Sequence, residues 1–172
     1  MEGNCVRDRP EEQENDVSVP FHAEKMGRLL SDLLGRPVSA KIGPVTSAAS
    51  DLPIVASYAI DNGDLAAVCI CDLEFALNGG AALCLIPACE AATNLKTKHL
   101  DPLLFENFKE ILNICAQLFG GSNTQRVKLV SVHSKASEAP ETTKKFMEQT
   151  RMRREAQISI AGYGEGRITV FC

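Results

Sequence analysis

Glu106, Glu110, Asn113 and Gln117 follow one another at spacings of four, three and four residues in this chain of 172. On an α-helix such spacings stack side chains along one ridge. A carboxylate on that ridge can dock on a lysine of a partner, and an amide can hold a water molecule through its donor and acceptor together. A polar ridge is ordinarily the solvated side of an amphipathic helix. This one contains no Lys or Arg for i,i+4 pairing, and that points to a helix that reads another protein's active site.

The element that must carry the ridge is Asp101–Phe119. Asp101 can accept hydrogen bonds from the first free amides of a helix, and Pro102 suits the first helical position, where no donor is needed. Leu104, Phe108, Ile111, Leu112, Cys115, Leu118 and Phe119 recur with helical period and form the opposite, apolar face. Gly120-Gly121 then stops the helix.

Composition limits what such a helix serves. A net charge of −4 and a pI near 5.4 argue against an electrostatic nucleic-acid binder, and 5 % aromatics with no Trp argue against base-stacking platforms. Seven cysteines are an odd number for a paired framework, and the N-terminal stretch has no apolar signal region, so a reduced, cytoplasmic chain is expected. No CxxC pair occurs and His22, His99 and His133 are scattered, so buried thiols are expected rather than a metal site. Leu65–Pro87 is apolar but broken by Asp72, Glu74 and Asn78, and so is not a membrane span.

In chain order, residues 1–19 read as a disordered acidic tail and 20–172 as one domain. A first amphipathic helix is predicted over Pro20–Leu34, a strand over Val38–Val45 and a loop over Thr46–Pro53. Strands Ile54–Ile60 and Leu65–Cys71 flank Asn62-Gly63, a strong hairpin signal. A further strand is expected over Ala81–Ile86 after an Asn78-Gly79-Gly80 turn, then a short helix over Pro87–Asn94. Beyond the long helix come a strand at Val127–His133, a polar loop over Ser134–Thr143 and a basic connector from Lys144 to Arg154. Strands Gln157–Ala161 and Arg167–Phe171 close the chain.

Leu29-Leu30-Ser31-Asp32-Leu33-Leu34-Gly35 followed by Lys41-Ile42 is similar to Ile114-Cys115-Ala116-Gln117-Leu118-Phe119-Gly120 followed by Arg126-Val127, at one constant offset. The fold expected is therefore α+β: two long helices packed on an antiparallel sheet, with internal duplication of a helix–strand–hairpin unit. At the positions matching Glu110 and Asn113 the first helix has Lys25 and Arg28.

From Gly80 to Val132 the chain resembles the CheC/CheX family of chemotaxis phosphatases, and more closely its single-site CheX branch. The family's signature is a Glu and an Asn three apart on a helix, often followed by Ile, here Glu110-Ile-Leu-Asn113-Ile114. The resemblance implies a hydrolase of two-component signalling that removes phosphate from the aspartate of a CheY-like response-regulator receiver. It implies that Glu110 contacts the receiver's lysine and that Asn113 orients the attacking water; Glu106 and Gln117, on the same polar ridge, are expected as further partner-binding positions. The chain itself would bind no cofactor, Mg²⁺ being supplied in the receiver. CheX-type relatives also form dimers through sheet edges, for which Leu65–Cys71 and Ala81–Ile86 are the candidate strands. Glu106 stands where many members have Asp or Ser, and Lys25 and Arg28 exclude a second site. The rival readings are a non-catalytic adaptor for a receiver or flagellar-motor component, and a small-ligand or redox sensory domain with Cys69, Cys71 and Cys84 around a pocket.

Overall fold

The computed structural model describes residues 21–44, 53–120 and 126–172. The segment 1–19, most of the loop 46–53 and the Gly121 end of the long helix lie outside the described residues. Six strands, β1 (Val38–Gly43), β2 (Ile54–Ile60), β3 (Leu65–Cys71), β4 (Val127–His133), β5 (Arg153–Ile160) and β6 (Gly164–Phe171), form one sheet in the order β1-β5-β6-β3-β2-β4, antiparallel throughout. Five helices pack on it: α1 (Ala23–Leu34), α2 (Leu73–Leu83), α3 (Ala88–Lys96), α4 (Pro102–Cys115) and α5 (Glu141–Gln149).

Period-2 alternation divides the sheet's two faces. Ile54, Ala56, Tyr58, Ala67, Cys69 and Val170 join Met26 and Leu30 of α1, Phe75 of α2 and Phe108 and Leu112 of α4 in the main core. The intervening Val55, Val68 and Phe171 face the other way, onto Ala139 and the α5 residues Phe146 and Met147. β2 is covered on both sides, which is why it is apolar almost throughout. At the β2–β3 hairpin Gly63 has φ +93°, and Asn62 accepts from Asp64 N at 2.9 Å, as its Asn-Gly sequence requires.

The strand order carries the duplication. Exchanging β1 with β4, β2 with β5 and β3 with β6 reads the same order backwards. β3 and β6 of the two halves meet at the centre, Cys69 opposite Val170 and Cys71 opposite Ile168.

Three expectations need correction. Residues 81–83 are the end of α2, so Ala81–Ile86 is not a strand. Asp72 begins that helix by accepting from Phe75 N at 2.8 Å, and α2 is buried on nearly every side, so it has no polar face to give a helical period. Gly79-Gly80, expected as a turn, lies inside α2 where it crosses α4. β3 is likewise interior to the sheet, paired with both β2 and β6, so the sheet's edges are β1 and β4 and neither strand named for a dimer edge supplies one. The polar loop and basic connector contain α5 and the start of β5 at Arg153, because Thr143, Phe146 and Met147 pack on the back of the sheet.

Candidate functional site

The ridge lies on α4 as its spacing predicts, and the helix is held at both ends. The Asp101 carboxylate accepts from Leu104 N at 3.0 Å and Pro102 occupies the first turn. The apolar face buries Leu104, Phe108, Ile111, Leu112 and Cys115, leaving Glu106, Glu110, Asn113 and Gln117 exposed.

Two contacts that the sequence did not reveal fix the position of α4. A Cβ on Gly80 would lie 2.1 Å from the Leu104 carbonyl oxygen, so only glycine lets α2 approach this closely. Asn107 Nδ2 donates to Gly80 O at 3.4 Å in the same crossing. At the far end the buried Tyr58 hydroxyl donates to Leu112 O at 2.9 Å. Leu112 O is the acceptor that Ala116 N would use in a continuing α-helix. Ala116 N instead donates to Asn113 O and Ile114 O, and Ala116–Phe119 tightens into a 3-10 turn. The change of helix type therefore falls beside Asn113 and has a cause. Phe119, at the end of that turn, packs on Tyr58 with ring centroids 4.7 Å apart.

The four ridge residues do not form one unit. Gln117 sits on the 3-10 turn, off the line of the α-helical ridge. Glu106 is engaged by Lys109 Nζ at 2.6 Å, an i,i+3 pair, and Lys109 also lies 5.4 Å from the Phe105 ring centroid. A cation thus flanks the ridge, and Glu106 is partly neutralised within the chain. Glu110 and Asn113 have no side-chain hydrogen bond or ion pair with any other described residue. They stand one turn apart on a rigid element, facing solvent.

Among the described residues no activated thiol accompanies them. Burial pushes the nearby Cys115 thiol up to about 12, and burial raises Cys69 and Cys71 well above the ordinary thiol value too, so all three stay protonated near neutrality. Cys69 and Cys71 lie in the core, while Cys84 is exposed at the end of α2. Among the described residues no three His, Cys, Asp or Glu side chains converge as a metal site. No helix among them is long and apolar enough to cross a membrane.

No family model and no curated protein matches the sequence. Solved structures match by fold. The FliM–SpeE complex from H. pylori gives a TM-score of 0.59 at 11 % identity, covering 86 % of this chain and 82 % of that chain. FliY from Thermotoga maritima gives 0.54 at 14 % identity, covering 86 % and 82 %. The fold is one shared with the FliM middle domain and with FliY. A CheX–CheY–BeF3–Mg complex from Borrelia burgdorferi matches at a TM-score of 0.46 and 12 % identity, over 86 % of this chain and 92 % of that chain. These identities speak to the fold alone.

Proposed function

We propose that the chain hydrolyses the aspartyl phosphate of a CheY-like receiver domain, docking through the exposed face of α4. The observation that carries this reading is that Glu110 and Asn113 stand one turn apart, exposed and without a side-chain partner among the described residues, on a helix fixed at both ends. In the reaction a water oxygen attacks phosphorus, the bond from phosphorus to the aspartate oxygen breaks, and the carboxylate leaves. A receiver brings its own Mg²⁺ and lysine to bear the transition-state charge, so a partner adds most by fixing the water. The Asn113 amide can do so without repelling phosphate, which a carboxylate there would do. Glu110 is the anchor for the receiver's lysine, and it has no internal cation to release first.

A second reading, an adaptor that binds without catalysing, is favoured by one observation. Similar solved structures include FliM in complexes with SpeE and with FliG. Both readings use the same face of α4, and one experiment separates them. Receivers from the same organism are labelled with acetyl phosphate, and dephosphorylation and binding are followed with wild type, Asn113→Ala and Glu110→Lys. The catalytic reading expects Asn113→Ala to lose about 10²-fold in rate, the scale of a misplaced reactant, with binding retained. Glu110→Lys should lose binding. A receiver that binds through α4 with no acceleration by wild type would establish the adaptor.

A further inference from the structure

The first half of the chain presents a cationic counterpart to α4. Lys25 and Arg28 of α1 occupy the positions that match Glu110 and Asn113 across the duplication, and they line a groove of ≈ 570 Å³ with Phe21, His22, Lys41 and Ile42. Lys25, Arg28 and Lys41 form no ion pair with any other described residue, and Glu24 is the one carboxylate in the lining.

The groove's second wall is the outer edge of the sheet, where β1 is a terminal strand. α1 covers the start of that edge. The Ser31 hydroxyl accepts from Val38 N at 2.9 Å and lies 3.2 Å from Val38 O, so these main-chain groups turn toward α1. Gly27 rides against the next outward residue, where an added Cβ would stand 3.2 Å from Ala40 N. Alternation along the strand brings the main chain of Ile42 to the same side, and Ile42 is 52 % exposed. Among the described residues nothing pairs with this stretch of edge, and a sheet edge beside three cations is suited to an extended, acidic segment.

A segment of acidic composition belongs to this chain. Residues 1–19 hold Glu2, Asp8, Glu11, Glu12, Glu14 and Asp16 against Arg7 and Arg9, an excess that equals the whole net charge of −4. The segment runs through Pro20 directly into Phe21 and His22, which already line the groove. We propose that the acidic segment Met1–Val19 docks in the α1–β1 groove of its own chain, its carboxylates against Lys25, Arg28 and Lys41. This inference is independent of any activity at α4.

The test uses the full chain and a variant in which Glu11, Glu12 and Glu14 become Gln and Asp16 becomes Asn. Hydrogen exchange at the Ile42 amide in low salt should be about tenfold or more faster in the variant, by loss of a charge-held cover. Carbodiimide should join the carboxylates of residues 11–16 to Lys41 within single molecules of wild type. Both signals should vanish in 1 M salt, where the screening length is about 3 Å. Equal exchange in the two chains, or cross-links that form only between molecules, overturns the proposal. Lys25→Glu/Arg28→Glu should reproduce the fast exchange. If that pair does not fold, the carboxylate variant, altered outside the described fold, still decides the matter.

Discussion

Tyr58→Phe isolates the contact that shapes the end of α4. The substitution keeps the ring that packs on Phe119 and removes only the hydroxyl that donates to Leu112 O at 2.9 Å. A net intramolecular hydrogen bond contributes about 1 kcal/mol, and a carbonyl left buried without a donor costs about 1–3 kcal/mol. Leu112 O has a replacement donor close by in Ala116 N, which now serves Asn113 O and Ile114 O. The lower end of that range is therefore expected, about 1 kcal/mol, or a fall in Tm of about 2–4 °C for a chain of this size. The functional effect should be larger than the stability effect. If Ala116 N moves to Leu112 O, the 3-10 turn relaxes to α and the main chain at Asn113 shifts, and a displacement of about 1 Å can cost about 10²-fold in rate. Urea denaturation gives the first quantity and receiver dephosphorylation the second, while the Ala116 amide resonance reports whether its partner has changed. An unchanged rate beside a shifted Ala116 resonance would refute the link between Tyr58 and the placement of Asn113.

Two other outcomes follow from burial and close approach. Gly80→Ala sets a methyl against a main-chain oxygen at 2.1 Å, so α2 and α4 must separate; a loss of about 3 kcal/mol or more is expected in urea denaturation, whereas Gly43→Ala, with nothing within 4 Å, should be nearly neutral. Cys69, Cys71 and Cys115 have thiol pKa values raised by burial, so the folded chain holds their protons more tightly than the unfolded chain. Their contribution is fully present below the unfolded value of 9.0 and is lost as pH rises from there toward the folded values, about 12 for Cys115. Three such groups give a slope of about 4 kcal/mol per pH unit, readable as a falling urea midpoint above pH 9, and Cys115→Ala should reduce that slope by about a third.

What could be read from the sequence was what is local. Asp101 and Pro102 announce the start of α4 because a cap acts within one turn, and its apolar period is clear because one face meets the core and the other meets water. Asn62-Gly63 is as local, and the β2–β3 hairpin lies where it was expected. α2 was missed because a helix enclosed on nearly all sides has no contrasting face, and its Gly79-Gly80 pair has the composition of a turn. The glycines serve a crossing with Leu104 and Ile111, residues more than twenty positions away. Likewise Tyr58 meets Leu112 across 54 residues. Periodicity placed Glu106, Glu110 and Asn113 on one face, but only the folded chain separates Glu106, held by Lys109, from the unpartnered pair.

The duplication shows how, on the proposed reading, one half alone would bear the site. A two-fold relation between the halves constrains what each must bury, and the strand order preserves it from edge to edge. It does not constrain exposed positions, where a charge change ordinarily costs little. α1 and α4 both lie on the same core, yet the positions of Glu110 and Asn113 are taken on α1 by Lys25 and Arg28. A receiver's lysine would meet repulsion on α1 and attraction on α4, so the same difference that would give α4 a docking face would withhold one from α1. Two cations turned outward on α1 then suit an acidic occupant, and the chain carries its excess of carboxylates in the segment that leads into that helix.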